Sequence, residues 1–339
     1  MDLNLGSKQE LSFRNCTMSG SVYLECMTTI CKLKKTSGTT KVNRQAQQLQ
    51  KDDGTLRTDD TEKATMLNDY FCTIAEKLIS PADEIQPLLA HNRENVDMPI
   101  MTSITISQKE IEEKICKLKV KKATGPDGVS VRLLKYAGMS IAQSLTSVFK
   151  QSVETCKPPD QWKIARVSAA FKKGREEDRT WYRPLSMLSI PSKLMEYCVT
   201  CNITNHVVTQ NLLDNRQCAY RKEKSIAQLL IHLTERWREA VERKLFGGIL
   251  FVDFTKAFDT VSHNMLLQKL NDLGIRGDIW LLLRNYLTER RQFVRINGSD
   301  SDTHIIAHGV LQGLVLGPTL FSLFTNDLPK SLRSAETYL

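Results

Sequence analysis

The chain has 339 residues, 41% of them hydrophobic and 25% charged, with a formal net charge of +9. That length accommodates two or three packed units, the composition is that of an ordinary globular protein, and the basic excess favours a polyanionic partner without identifying it. No signal peptide opens the chain and no apolar run approaches the ~18–20 residues that cross a bilayer, so secretory and membrane classes are excluded and an intracellular location, nuclear or cytoplasmic, is expected.

The first ~40 residues are weakly patterned and read as a linker or as a fragment of something longer. Asp53-Gly54 signals a turn, and Asp59 to Leu78 reads as a helix because Ala64, Leu67, Phe71, Ile74 and Leu78 recur at three- and four-residue steps. Pro81 stops it, and residues 81–102 read as loop. A second helix starts at Ser107, whose S-x-x-E spacing to Glu110 predicts a capping box, with Ile111, Ile115 and Leu118 on one face. Gly125-Pro126-Asp127-Gly128 forces a tight turn before a helix from about Val131 to Thr155. A basic strand pair follows, roughly Lys163 to Lys172 and Tyr182 to Leu188, joined by the charged loop Lys173 to Arg179. Helices then cover about Lys193 to His206 and Ile226 to Lys244. Ile249 to Val252 is a continuous apolar run of the kind a buried strand shows, ended by Asp253. Helices at Asn264 to Leu273 and Ile279 to Leu287 precede a hairpin, Gln292 to Ile296 with Thr303 to His308, that carries the turn signal Asn297-Gly298. A last helix spans about Leu316 to Asn326, and the whole pattern implies an α+β protein.

Nine cysteines form no disulfide framework. Cys198 and Cys201 have a C-x-x-C spacing with His206 nearby, but they fall in a helical stretch and a structural zinc site needs four ligands, so they read as core cysteines in a reducing compartment. Three other segments carry chemistry. Phe251-Val252-Asp253-Phe254-Thr255-Lys256-Ala257-Phe258-Asp259 puts a carboxylate at the end of an apolar run, where it can reach a cation or, equally, cap the following helix. Gly309-Val310-Leu311-Gln312-Gly313-Leu314-Val315-Leu316-Gly317-Pro318 has three glycines in nine residues before a helix, which suits close backbone approach to a flat ligand and also suits a plain turn. Tyr182-Arg183-Pro184-Leu185-Ser186, preceded by Lys172-Lys173, offers cations that can grip a triphosphate or simply face water.

Taken in order and with their spacing, these segments resemble the reverse transcriptase domain of LINE-type (non-LTR) retrotransposons. Lys122-Ala123-Thr124-Gly125-Pro126-Asp127-Gly128 is similar to that family's opening fingers motif, Tyr182 to Ser186 to its fingers hairpin, and Gln217-Cys218-Ala219-Tyr220-Arg221-Lys222 to the stretch that follows. Phe251 to Asp259 resembles motif A, and Gly309 to Pro318 resembles motif B with Asn326-Asp327-Leu328-Pro329 as its tail. The resemblance covers about residues 105–339. It implies a right-hand polymerase architecture: a linker-like region over 1–104, fingers and the start of the palm over 105–245, and a partial palm with an antiparallel sheet over 246–339, the thumb absent.

The resemblance also implies roles. Asp253 corresponds to the metal-binding aspartate of motif A, and Phe258 to the bulky position that excludes a ribose 2′ hydroxyl. Arg183 corresponds to the fingers arginine near the incoming triphosphate, assisted by Lys172 or Lys173, with the choice between them open. Gln312 and Gly313 correspond to the nucleotide pocket of motif B, and Asp259 to an orienting residue. Lys121, Lys122 and Arg175 are expected to meet nucleic-acid phosphates. Implied partners are an RNA template, a DNA primer and deoxynucleoside triphosphates, and the implied cofactor is two magnesium ions. This chain departs from the family pattern at Leu311 and Leu314, where Pro and Ser are usual, and at Trp181, where Asn is usual. It ends at Leu339, before the family's Asp-Asp motif, so the implied state of the isolated chain is weak metal binding and no polymerase activity. The other readings are a non-catalytic retrotransposon remnant that at most binds RNA, and a host-adopted interaction protein.

Overall fold

A computed structural model describes residues 46–79, 98–121, 123–221, 224–245 and 252–331. Strands β1 (Leu49–Gln50) and β2 (Leu56–Arg57) form a small antiparallel ribbon around Asp53-Gly54, where the Asp53 carboxylate accepts from Thr55 N at 2.8 Å. Helix α1 (Asp60–Leu78) follows, its first turn capped by Asp59, which accepts from Glu62 N at 2.8 Å. Its buried face carries Ala64, Leu67, Phe71 and Ala75 at the expected helical spacing.

Helix α2 (Gln108–Lys117) begins after Ser107, yet the serine hydroxyl accepts no hydrogen bond and the anticipated capping box is not made. Burial of Ile111 and Ile115, with Ile111 N donating to Ser107 O at 3.3 Å, orders that first turn instead. The Gly125–Gly128 turn leads into α3 (Val131–Glu154), capped by Ser130 and kinked at Gly138. The turn is tied to the strand that follows by Arg166, whose guanidinium donates to Thr124 O at 2.7 Å. At least that member of the basic run is therefore structural.

Strands β3 (Ile164–Phe171) and β4 (Tyr182–Met187) pair antiparallel, with Val167 opposite Ser186 and Phe171 opposite Tyr182. Helices α4 (Ile190–Thr209), α5 (Ile226–Glu242), α6 (His263–Asp272) and α7 (Gly277–Leu287) come next in the chain. Strand β5 (Arg290–Ile296) then lies parallel to β3, with Arg166 opposite Phe293. Strands β6 (Ser299–Asp300) and β7 (His304–Ile306) both run antiparallel to β5, β6 entering through the Asn297-Gly298 turn. The sheet is thus mixed where an antiparallel one was expected: β6 and β7 pair antiparallel with β5, but β5 joins β3 in parallel. The order is β4-β3-β5, so β4 returns the chain to the end where β3 starts, and β5 enters there parallel to β3. Helices α8 (Gly317–Phe324) and α9 (Leu328–Ser331) close the described chain.

Two apolar clusters hold these elements. The larger joins α2, α3, α4, α6, α7 and α8 through residues such as Ile111, Phe149, Leu194, Leu270, Leu282 and Leu320. The smaller packs α1 on the sheet, with Leu67 and Phe71 against Val167, Tyr182, Val294 and Ile296. Residues 60–78 therefore belong to the folded sheet layer. Helix α5 has a complete capping box between Ser225 and Gln228, but none of its residues is buried.

The strand anticipated at Ile249–Val252 lies outside the described residues except for Val252. Val252 is in no strand and is 67% exposed, and Asp253 after it is likewise exposed and irregular. No strand pairs with this segment among the described residues, so its backbone has no ladder to join there. Cys198 is a buried core residue on α4, and among the described residues no group of three or more His, Cys, Asp or Glu side chains is placed to hold a metal ion.

Candidate functional site

Three segments far apart in sequence meet at the loop end of the β3–β4 hairpin. Lys172 N donates to Trp181 O at 2.8 Å and closes the hairpin pairing there. The turn at 255–260 is bonded to the glycine-rich loop: Gly309 N donates to Val261 O and Val310 N to Phe258 O, both at 2.8 Å. The same loop docks on β4, because Ser186 N donates to Gln312 O at 2.9 Å. That docking requires glycine at 313. Its φ is +103°, and a Cβ would stand 2.7 Å from Ser186 O.

Between these segments lies a cleft of about 640 Å³. Lys172, Arg183, Asp253, Phe258, Gln312 and Gly313 all line it. Lys172, Arg183 and Asp253 are exposed, and Phe258 is half-buried. The Phe258 ring stacks on Phe321 of α8 with centroids 4.5 Å apart, and Tyr220 stands edge-on at 6.4 Å. A ring wedged on two sides cannot swing away from a ligand at little cost. Lys173 does not line the cleft and is exposed, as are Lys121 and Arg175, the last within 3.9 Å of Glu177. Lys122 lies outside the described residues.

Asp259 sits behind the cleft, and Gln312 Nε2 donates to its Oδ1 at 3.5 Å. Burial pushes the Asp259 carboxyl above the usual aspartate range, against the opposing pull of Lys256, the Gln312 bond and Arg183. Lys256 was not singled out in the sequence, although it lies midway between Asp253 and Asp259. It lines the cleft with its ammonium 5.2 Å over the Tyr70 ring. Burial lowers its ammonium below the lysine norm; Asp259 opposes this, while the positive charges of Arg183 and Lys172 add to it. The cleft thus holds three neighbouring cations, with one buried carboxyl behind them. Such cations suit an anion bearing several charges, and the aromatic lining of Phe258 and Tyr220 suits a flat ring.

Asp253 is the only carboxylate among the described residues lining the cleft. One carboxylate can give a magnesium ion only part of its coordination and cannot hold two ions by itself.

Residues 171–339 match the reverse transcriptase (RNA-dependent DNA polymerase) family, and the chain carries a domain of that family over those residues. Within the family it is related to the polymerases of non-LTR retrotransposons. It is 32% identical over 240 residues to the Drosophila melanogaster protein described as "Probable RNA-directed DNA polymerase from transposon BS", across 70% of this chain and 26% of that one. Identity is 31% over 236 residues to its counterpart from transposon X-element, across 69% and 26%. Against the RNA-directed DNA polymerase from mobile element jockey of the same species it is 30% over 240 residues, across 70% and 26%. The chain spans about a quarter of the length of these relatives. No helix among the described residues is long and apolar enough to cross a membrane.

Proposed function

We propose that this chain contributes the fingers and part of the palm of an RNA-directed DNA polymerase, and that its cleft takes the incoming deoxynucleoside triphosphate. The observation that carries the reading is that Lys172, Arg183, Asp253, Phe258, Gln312 and Gly313, spread over more than a third of the chain, line one cleft of about 640 Å³. That volume is in the range of small-molecule sites, roughly 300–1,000 Å³. Arg183 offers a fork of donors to phosphate oxygens and Lys172 a compact charge beside it. Phe258, wedged between Phe321 and Tyr220, blocks the space a ribose 2′ hydroxyl needs. Gln312 and Gly313 form the wall against which base and sugar lie. Asp253 would hold magnesium, which when bound neutralises phosphate charge and activates the primer hydroxyl. Asp259 acts through Gln312, orienting its amide. Fingers and early palm occupy 105–245 and partial palm 246–339, with Lys121, Lys122, Lys173 and Arg175 facing template or primer phosphates.

Equilibrium binding of a fluorescent deoxynucleoside triphosphate, with magnesium present, tests the reading. The parent chain should bind, and Arg183→Ala should weaken binding at least tenfold, the equivalent of about 1.4 kcal/mol. In a longer protein that spans the length of the relatives, Asp253→Asn should abolish RNA-templated primer extension while leaving RNA affinity intact. A parent chain that binds RNA but no triphosphate would refute the nucleotide cleft and favour an RNA-binding remnant.

A further inference from the structure

Helix α4 buries Leu194, Met195, Cys198 and Val199, and among them stands Glu196, 2% exposed. A carboxylate in that position costs several kcal/mol unless it is bonded and balanced. Here it is both. Its Oε2 accepts from Val315 N at 2.8 Å and from Leu316 N at 3.4 Å, and its Oε1 accepts from Tyr286 OH at 3.0 Å. Arg290, also 2% exposed, lies over the Tyr286 ring at 4.6 Å and donates to Tyr286 O at 3.2 Å. The Nε and Nη2 of Arg290 have no hydrogen-bond partner among the described residues, so its charge is left to the field of Glu196. Burial drives the Glu196 carboxyl upward, and Arg290 opposes that shift first, ahead of the bonds from Val315 and Tyr286.

The two amides that Glu196 grips lie directly before α8, where a helix start leaves N–H groups unpaired. They also form the far end of the loop whose near end carries Gln312 and Gly313. That loop is irregular from 310 to 316, apart from turn geometry. Its tie at Gln312 O to Ser186 N fixes one side, and Glu196 fixes the other three residues later.

We propose that Glu196 is a positioning residue for the cleft: an internal carboxylate clamp, held by Tyr286 and balanced by Arg290, that sets the loop so that Gln312 and Gly313 face the ligand. The effect on nucleotide binding rests on the function proposed above, whereas the clamp itself does not. Glu196→Gln keeps the side-chain shape but removes the charge and one acceptor, leaving Arg290 unbalanced.

Amide hydrogen exchange followed by mass spectrometry reads the clamp. Glu196→Gln should speed exchange in peptides covering 309–317 by roughly tenfold or more, as loss of a charge-assisted bond implies, with α3 peptides unchanged. Tyr286→Phe, which removes only one of the three bonds, should show a smaller change confined to the same peptides, and it carries the test if Glu196→Gln does not fold. Binding of a fluorescent deoxynucleoside triphosphate should weaken several-fold in Glu196→Gln while affinity for an RNA oligonucleotide holds. Unchanged exchange at 309–317, or exchange that rises equally in α3, overturns the clamp. Faster exchange in the loop with unaltered triphosphate affinity overturns the positioning role. If the parent binds no triphosphate, the nucleotide reading fails, and the exchange data still decide the clamp.

Discussion

Gly313→Ala is the substitution whose cost the structure defines best. Alanine at φ +103° adopts backbone strain worth about 1–3 kcal/mol. Its Cβ would sit 2.7 Å from Ser186 O, so the loop must move off β4. The 2.9 Å bond from Ser186 N to Gln312 O then lengthens or breaks, at a further cost of about 0.5–1.5 kcal/mol. Together these predict about 1.5–4.5 kcal/mol, taken either from global stability in denaturant titration or as local opening seen by exchange at 310–316. Gly298→Ala is the control. Its φ is +96°, but nothing lies within 4 Å of the added Cβ, so it reports strain without the docking clash. Triphosphate affinity should fall at least tenfold in Gly313→Ala and remain at the parent value in Gly298→Ala. If Gly313→Ala costs no more than Gly298→Ala, leaves loop exchange unchanged and binds triphosphate as the parent does, the docking of this loop on β4 does not shape the cleft.

Lys172→Ala should weaken triphosphate binding and Lys173→Ala should not, because only Lys172 lines the cleft; equal effects in a binding titration would contradict that division. Neutralising both should lower RNA affinity for every sequence tested and flatten its log–log salt dependence by up to about 1–2 units, measured by titration across salt concentrations. Asp259 has a folded-state carboxyl raised by burial, so its contribution to stability is present below its unfolded pKa of about 3.9 and is lost as pH rises through the folded value. Asp259→Asn should accordingly gain stability relative to the parent as pH rises above about 4, and a pH-independent difference in unfolding free energy would argue against a strained carboxylate there. Burial pushes the thiols of Cys72 up to about 11 and of Cys198 up to about 12, so in the native protein at pH 8 both should alkylate far more slowly than exposed Cys116, as peptide mass spectrometry would reveal.

Much of the local structure was legible in the sequence because its determinants lie within a few residues. The apolar steps from Ala64 to Leu78 with Asp59 ahead of them define α1, and the Asn297-Gly298 pair turns β5 into β6. The β3–β4 hairpin follows from two extended basic runs around a charged loop. Six residues drawn from the three motif segments, Lys172, Arg183, Asp253, Phe258, Gln312 and Gly313, line one cleft.

What the sequence by itself did not determine are the partners of each element. Ser107 and Glu110 have the spacing of a capping box, yet burial of Ile111 and Ile115 sets that helix start without it. The parallel pairing of β3 with β5, the packing of α1 on the sheet and the choice of Lys172 over Lys173 for the cleft wall were decided only in the tertiary structure. So was the burial of Glu196 against the amides of Val315 and Leu316, 119 and 120 residues away. The physical reason is common to all of these. Backbone periodicity and capping are short-range, whereas which face is covered, which strand edge is paired and which charge is desolvated depend on segments that meet only once the chain has folded.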